Sequence, residues 1–224
     1  MKFLKKLGFG NKEKTKPKGP YKNETLNMLY HMSFCDDINF FKSIVKDPSQ
    51  HPISEIIGTP FNKEGLLKVA KDTTLDTRCR LFAYDRLLKN KIPIKNVELL
   101  GVIIEIGFEQ GMDVLAAYQD GNIRYLNQGE AAIVWETPNE TSNALVEKVF
   151  AASQEVVQNI GPWTDGRTPW PDKNFVKITF LVSNGLYFGQ GPINIMFNDP
   201  KAGAILAAGT ELMTYLTKQP SQNQ

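Results

Sequence analysis

The chain has 224 residues, with 17 Gly, 13 Pro and 2 Cys, counts that exclude collagen-like, low-complexity and disulfide-scaffold proteins. Its 42% hydrophobic and 22% charged residues suffice for a sizeable buried core. The net charge of +2 conceals an asymmetry: residues 1–22 hold eight Lys against Glu13, so this head is +7 and residues 23–224 are −5, which argues against nucleic-acid binding by the folded part.

The first ten residues, MKFLKKLGFG, begin basic but lack the apolar run and small-residue cleavage site of a secretory signal. Phe3, Leu4 and Leu7 among Lys2, Lys5 and Lys6 would give at most weak contact with an anionic membrane surface. Residues 11–20 carry no core-forming side chain, so residues 1–20 read as a basic flexible leader and residues 219–224 as a polar tail. Between them, residues 21–218 are expected to form a single α+β domain, with a helical part (21–92) and a sheet part (93–218). The alternative is that the helices form a separate small lobe.

From Tyr21 to Asn90 the apolar residues recur at helical spacing, predicting four short helices. Asn23 and Asp36 are candidate caps of the first two. Thr59-Pro60 reads as the start of the third, and Thr73 or Thr74 as the start of the fourth. After Pro93 the period changes to two, with candidate strands over residues 99–108, 112–119, 122–127 and 131–136. Their expected turns are Glu109-Gln110-Gly111, Asp120-Gly121 and Gln128-Gly129. The first strand is apolar on both faces, as a central, covered strand would be.

Thr137-Pro138-Asn139-Glu140 reads as a capping box opening a helix to Ile160, stopped by Gly161-Pro162. Strands over 175–183 and 186–189 follow, and Asp199-Pro200 opens a last helix to Leu216. The order gives an α+β fold: N-terminal short helices, then a mainly antiparallel sheet in a two-layer sandwich. The sheet part runs as a four-strand meander, a helix, a two-strand hairpin and a helix.

No phosphate loop, nucleophile elbow, HExxH or Cys/His zinc spacing is present, which lowers the expectation of an enzyme. Gly185, Gly189 and Gly191 fit a hairpin with a tight exit better than an anion loop, because the next predicted helix starts eight residues later. His31 and Cys35 share a helical spacing but make only two ligands, with His51 far along the chain, so no metal or cofactor is expected. Lone Cys35 and Cys79 suit a reducing, cytoplasmic compartment. The longest largely apolar windows, residues 99–104 and 202–210, fall far short of the roughly 18–20 residues that span a bilayer.

Three features stand out. If Gln119 pairs with Asn122, Glu105 and Arg124 come within reach across one strand, as a structural bridge or the floor of a polar pocket. Residues 161–174, GPWTDGRTPWPDKN, form a long connection bearing Trp163, Arg167 and Trp170. Trp and Arg are common binding anchors, although both Trp side chains could instead plug the sandwich. Small residues including Gly203 and Ala207 in the last helix pack on the chain's own sheet or form a homodimer seam. The expectation is a cytoplasmic binding or adaptor protein that meets a protein partner or small ligand through the Trp/Arg loop. The alternatives are an enzyme using Glu105 and Arg124, with Asp113 or Glu136 nearby, or a subunit of a larger assembly.

Overall fold

A computed structural model describes residues 18–219. Most of the basic leader and the last five residues of the tail lie outside the described residues. Five helices come first: α1 (Glu24–Phe34), α2 (Ile38–Ile44), α3 (Ile53–Ile57), α4 (Lys63–Lys71) and α5 (Thr77–Lys89). The strands β1 (Leu99–Phe108), β2 (Gly111–Tyr118), β3 (Ile123–Leu126) and β4 (Ala132–Trp135) precede α6 (Glu140–Asn159). The chain continues with β5 (Phe175–Val182), β6 (Gly185–Pro192), α7 (Ile193–Asn198) and α8 (Pro200–Thr217).

The caps explain where the helices begin. Asn23 accepts from the Thr25 and Leu26 amides, and Cys35 ends α1 in the left-handed conformation at φ 54°. Asp37, not Asp36, caps α2 by accepting from Phe40 N at 2.8 Å. Asn62 rather than Thr59 caps α4, and Asp76 rather than Thr73 or Thr74 caps α5, because their side chains reach the amides of Gly65 and Arg78. The box that opens α6 is Asn139 with Ser142, each side chain accepting from the other's amide at 2.9 Å, so Pro138 precedes the cap. Asp199 caps α8 with Pro200 at its start, as expected. Two short helices, α3 and α7, were not anticipated. The second starts two residues after Gly191 instead of eight.

All strand pairs are antiparallel, in the order β4-β3-β2-β1-β5-β6. The second hairpin returns beside β1, so strand order departs from a simple meander and β1 becomes central. Helices α6 and α8 pack over Val102, Ile104, Leu115 and Ile178 and complete the α/β sandwich. At Gly209 a Cβ would lie 2.5 Å from Ile104 Cδ1, so this glycine sets how closely α8 rests on the sheet. The N-terminal helices cover the opposite face through Leu100, Ile103, Val114 and Leu181. Each such aliphatic side chain contributes about 1.5–3 kcal/mol on burial.

Turn length shifts the register from the expected one. Phe108 pairs directly with Gly111, leaving a two-residue turn of Glu109 and Gln110. Tyr118 N donates to Asn122 O at 3.0 Å, leaving Gln119, Asp120 and Gly121 as a three-residue loop. Gly121, at φ +80°, takes the left-handed position that closes such a loop. Each change moves a strand by one residue, and a one-residue slip reverses the face each side chain occupies.

Candidate functional site

Residues 161–174 do not hang free; they form a strap across the sheet face that the N-terminal helices also cover. The strap is tied down along its length. Trp163 N donates to Leu186 O at 2.7 Å, bringing the indole edge-on to Phe188 with centroids 5.2 Å apart. Lys177 Nζ donates to Pro169 O at 2.7 Å from below. Asn174 N donates to Gly107 O at 2.9 Å, and a Cβ on Gly107 would lie 2.2 Å from Asp172 O, so only glycine admits the strap there.

Arg167 anchors the middle. Its Nε lies 3.2 Å from Asp36 Oδ2, its Nη2 donates to His31 Nδ1 at 2.9 Å, and its guanidinium sits 4.1 Å from the centroid of the Phe34 ring. Guanidinium can only donate, so His31 Nδ1 must accept and Nε2 carries the hydrogen given to Lys18 O at 2.8 Å. Burial holds the His31 imidazole below its usual range, consistent with this neutral form.

Between the strap, the end of α1, α5 and the β5–β6 turn lies a half-open cleft of about 600 Å³. That volume falls in the range of small-molecule sites. Leu81, Leu88, Leu181, Leu186 and Trp163 give it apolar walls, while Asp36, Asp85, Lys89 and Arg167 supply charge. Lys89 Nζ reaches Asp85 Oδ2 at 2.8 Å and Asp36 O at 2.5 Å. Burial nevertheless pushes the Asp85 carboxyl up to about 6, with the Asp36 and Asp37 charges adding to the effect against Lys89. Asp36 Oδ1 is buried with no hydrogen-bond partner. A depression of similar size along residues 58–64 is more open and is bounded mainly by one loop and α3.

Trp163, at 43% exposed, and Trp170, at 42%, do not plug the sandwich. Trp163 lines the cleft and Trp170 does not. Arg167 lines it too, held by α1. Of the last helix, Ala207 is exposed, and a Cβ on Gly203 would lie 2.6 Å from Phe197 O, a reason within this chain for that glycine.

The expected Glu105–Arg124 pairing gives way to other partners. Both residues face the N-terminal helices, Glu105 opposite Val114 and Arg124 opposite Ala116, the same two-position offset across β2 that the sequence predicts. Each has other partners. Tyr30 OH donates to Glu105 Oε1 at 2.7 Å, and Lys177 Nζ lies 3.2 Å from Glu105 Oε2. Burial raises the Glu105 carboxyl and lowers the Lys177 ammonium, each opposed by the other's charge. Arg124 meets Glu136 at 2.6 Å, and Arg78 joins Glu136 at 3.2 Å and Asp76 at 2.5 Å. Burial, then the Arg78 charge, lowers Arg124 to about 10. These are internal bridges, in which Glu105 Oε2 has the Lys177 charge beside it but no hydrogen bond. Asp113 is engaged by Tyr125 OH at 2.9 Å on the α6/α8 face.

His31 and Cys35 do not converge: the imidazole is used on both nitrogens, and Cys35 Sγ donates to Met32 O at 3.4 Å. Burial pushes the Cys35 thiol well above its usual range, so it is no thiolate nucleophile. Among the described residues, no three His, Cys, Asp or Glu side chains group as metal ligands would, and no helix is long and apolar enough to cross a membrane.

No protein family, curated protein sequence or solved structure matches this chain. The cleft's chemistry is therefore read from its own residues. Sequence reasoning missed Asp36, Asp85 and Lys89, although Leu81, Asp85 and Leu88 follow a one-face helical spacing on α5. An acid within that apolar face was the available signal.

Proposed function

We propose that this protein is a binding module that holds a small amphipathic ligand in the cleft beneath the Trp/Arg strap. The observation that carries this reading is Trp163, which is half exposed, fixed through its backbone to Leu186, and set in the wall of a cleft of about 600 Å³. A rigid indole offers large apolar area at little entropic cost, and a strap already held in place adds little ordering cost on binding. The concave shape favours a small molecule over a flat protein surface. Two buried thiols, Cys35 and Cys79, support a cytoplasmic setting for this activity.

The test is to equilibrate the protein with a small-molecule cell extract, wash it, denature it and identify released compounds by mass spectrometry. Wild type should retain a specific compound that Trp163→Ala and Leu88→Gln variants, folded by circular dichroism, release. Equal retention by all three, or retention of nothing, would remove the cleft as the binding site.

A second reading rests on Asp85, whose carboxyl near neutrality suits a general acid or base. It predicts that Asp85→Asn abolishes turnover of the retained compound without releasing it.

A further inference from the structure

The cleft contains a place already organised for a cation. Lys89 Nζ occupies it, in contact with Asp36 O and the Asp85 carboxylate, yet the Lys89 side chain is 54% exposed. Asp85 is only 21% exposed, whereas the ammonium of Lys89 is carried on a long exposed stem that can turn to water, so Lys89 is a displaceable occupant.

Three features suit the position to a cation. The charges of Asp36 and Asp37 act on Asp85, while Lys89 pairs with Asp85 and Arg167 with Asp36. Asp36 Oδ1 is buried without a hydrogen-bond partner, as is Nη1 of the Arg167 that meets its other oxygen, so this ion pair leaves an acceptor and a donor open. The position also lies just past the C-terminus of α1, the negative end of that helix, whose last-turn basic residue, His31, is held neutral by its two hydrogen bonds. Beside these acceptors stand Leu81, Leu88, Leu186 and the Trp163 ring, which receive apolar surface and, in the case of the indole, a cation over its face.

We infer that the ligand of this cleft is an amphipathic cation: a primary ammonium or guanidinium, carried on an apolar body, seated between Asp85 and Asp36. The inference rests on the reading of the cleft as a binding site. The ligand cation displaces Lys89, whose exposed head swings into water, and its apolar body lies on the leucines and Trp163.

The probes are octylammonium, the neutral isostere octanol and the anion octanoate, titrated calorimetrically into the full chain at pH 7.5. Octylammonium should bind about tenfold or more tightly than octanol, the scale expected of a hydrogen bond to a charged group. Octanoate should bind more weakly than either. In Asp85→Asn, folded by circular dichroism, the ammonium preference should collapse while octanol binding persists. Lys89→Gln should tighten octylammonium by removing the internal competitor.

Equal binding of octylammonium and octanol in wild type, lost together in Trp163→Ala, would overturn the cationic class and leave the cleft as a binding site. So would a preference unchanged in Asp85→Asn. Absence of binding by every probe would overturn the ligand class together with the apolar site it requires.

Discussion

Lys177 Nζ lies 3.2 Å from Glu105 Oε2 at the centre of the sheet and, with the same ammonium, donates to Pro169 O in the strap. Both side chains are fully buried, at 1% and 0% exposure. One ion pair therefore connects the register of β1 and β5 to the conformation of the loop that walls the cleft.

Removing one partner leaves the other as an uncompensated buried charge. Lys177→Met is expected to cost about 3–5 kcal/mol of stability, measured by urea unfolding, and to weaken ligand retention by freeing Thr168 and Pro169. Lys177→Met combined with Glu105→Gln should recover much of the stability but not the retention. A loss below about 1 kcal/mol in the single variant would show that the pair is not coupled to folding.

The strap's fit at the end of β1 is tested by Gly107→Ala. The new methyl would meet the Asp172 carbonyl, which is backbone and cannot turn aside as a flexible side chain would. Overpacking of this kind costs about 1–3 kcal/mol. The expected result is a lower urea midpoint with faster amide exchange in residues 163–174. Wild-type exchange there would show that the strap does not depend on this contact.

His31 makes the strap sensitive to acid. Its folded pKa is depressed, so the unfolded chain takes up the proton first, and the stability it contributes is present above its unfolded value of about 6.5 and lost as pH falls below it. The charged groups that face it are Arg167 on the strap and Asp36 and Asp37 at the end of α1. Protonation at Nδ1 would end the bond from Arg167 and set two cations together. His31→Gln should flatten the decline in urea midpoint between pH 7.5 and 5.5. An unchanged slope would show that His31 is not the titrating group.

Asp85 runs in the opposite direction. Its folded pKa of about 6 lies above the unfolded value, so the carboxylate is a cost at neutral pH that is relieved as pH falls through 6 toward 4. Asp85→Asn should therefore raise stability at pH 7.5 by about 1–2 kcal/mol while removing the preference for an ammonium ligand. In wild type, octylammonium affinity should drop between pH 7 and 5. Destabilisation by Asp85→Asn would mean that the Lys89 pair outweighs the burial cost.

The elements with strong local chemistry were legible in the sequence. The stripe of α6, the Asp199-Pro200 start of α8 and the two-faced apolar pattern of β1 each declare themselves within one segment. Register was less so, since it turned on whether Gly111 belonged to a turn and on the left-handed Gly121. Those shifts cancel across β2 and leave Glu105 and Arg124 two positions apart, so it is their partners, Tyr30 and Lys177 for one and Glu136 for the other, that sequence spacing did not disclose. Trp163 and Arg167 were selected by residue type, and both line the cleft. Asp36, Asp85 and Lys89 resemble ordinary polar residues of helix surfaces. Only the packing of α1, α5 and the strap around one space distinguishes them.

The most direct measurement is the fluorine NMR spectrum of the chain labelled with 5-fluorotryptophan, its Trp135, Trp163 and Trp170 resonances assigned by single Trp→Phe variants. Titration with octylammonium at pH 7.5 should shift the Trp163 resonance saturably while that of buried Trp135 stays fixed. A static Trp163 resonance, or equal movement of Trp135, would contradict binding in the cleft beneath the strap.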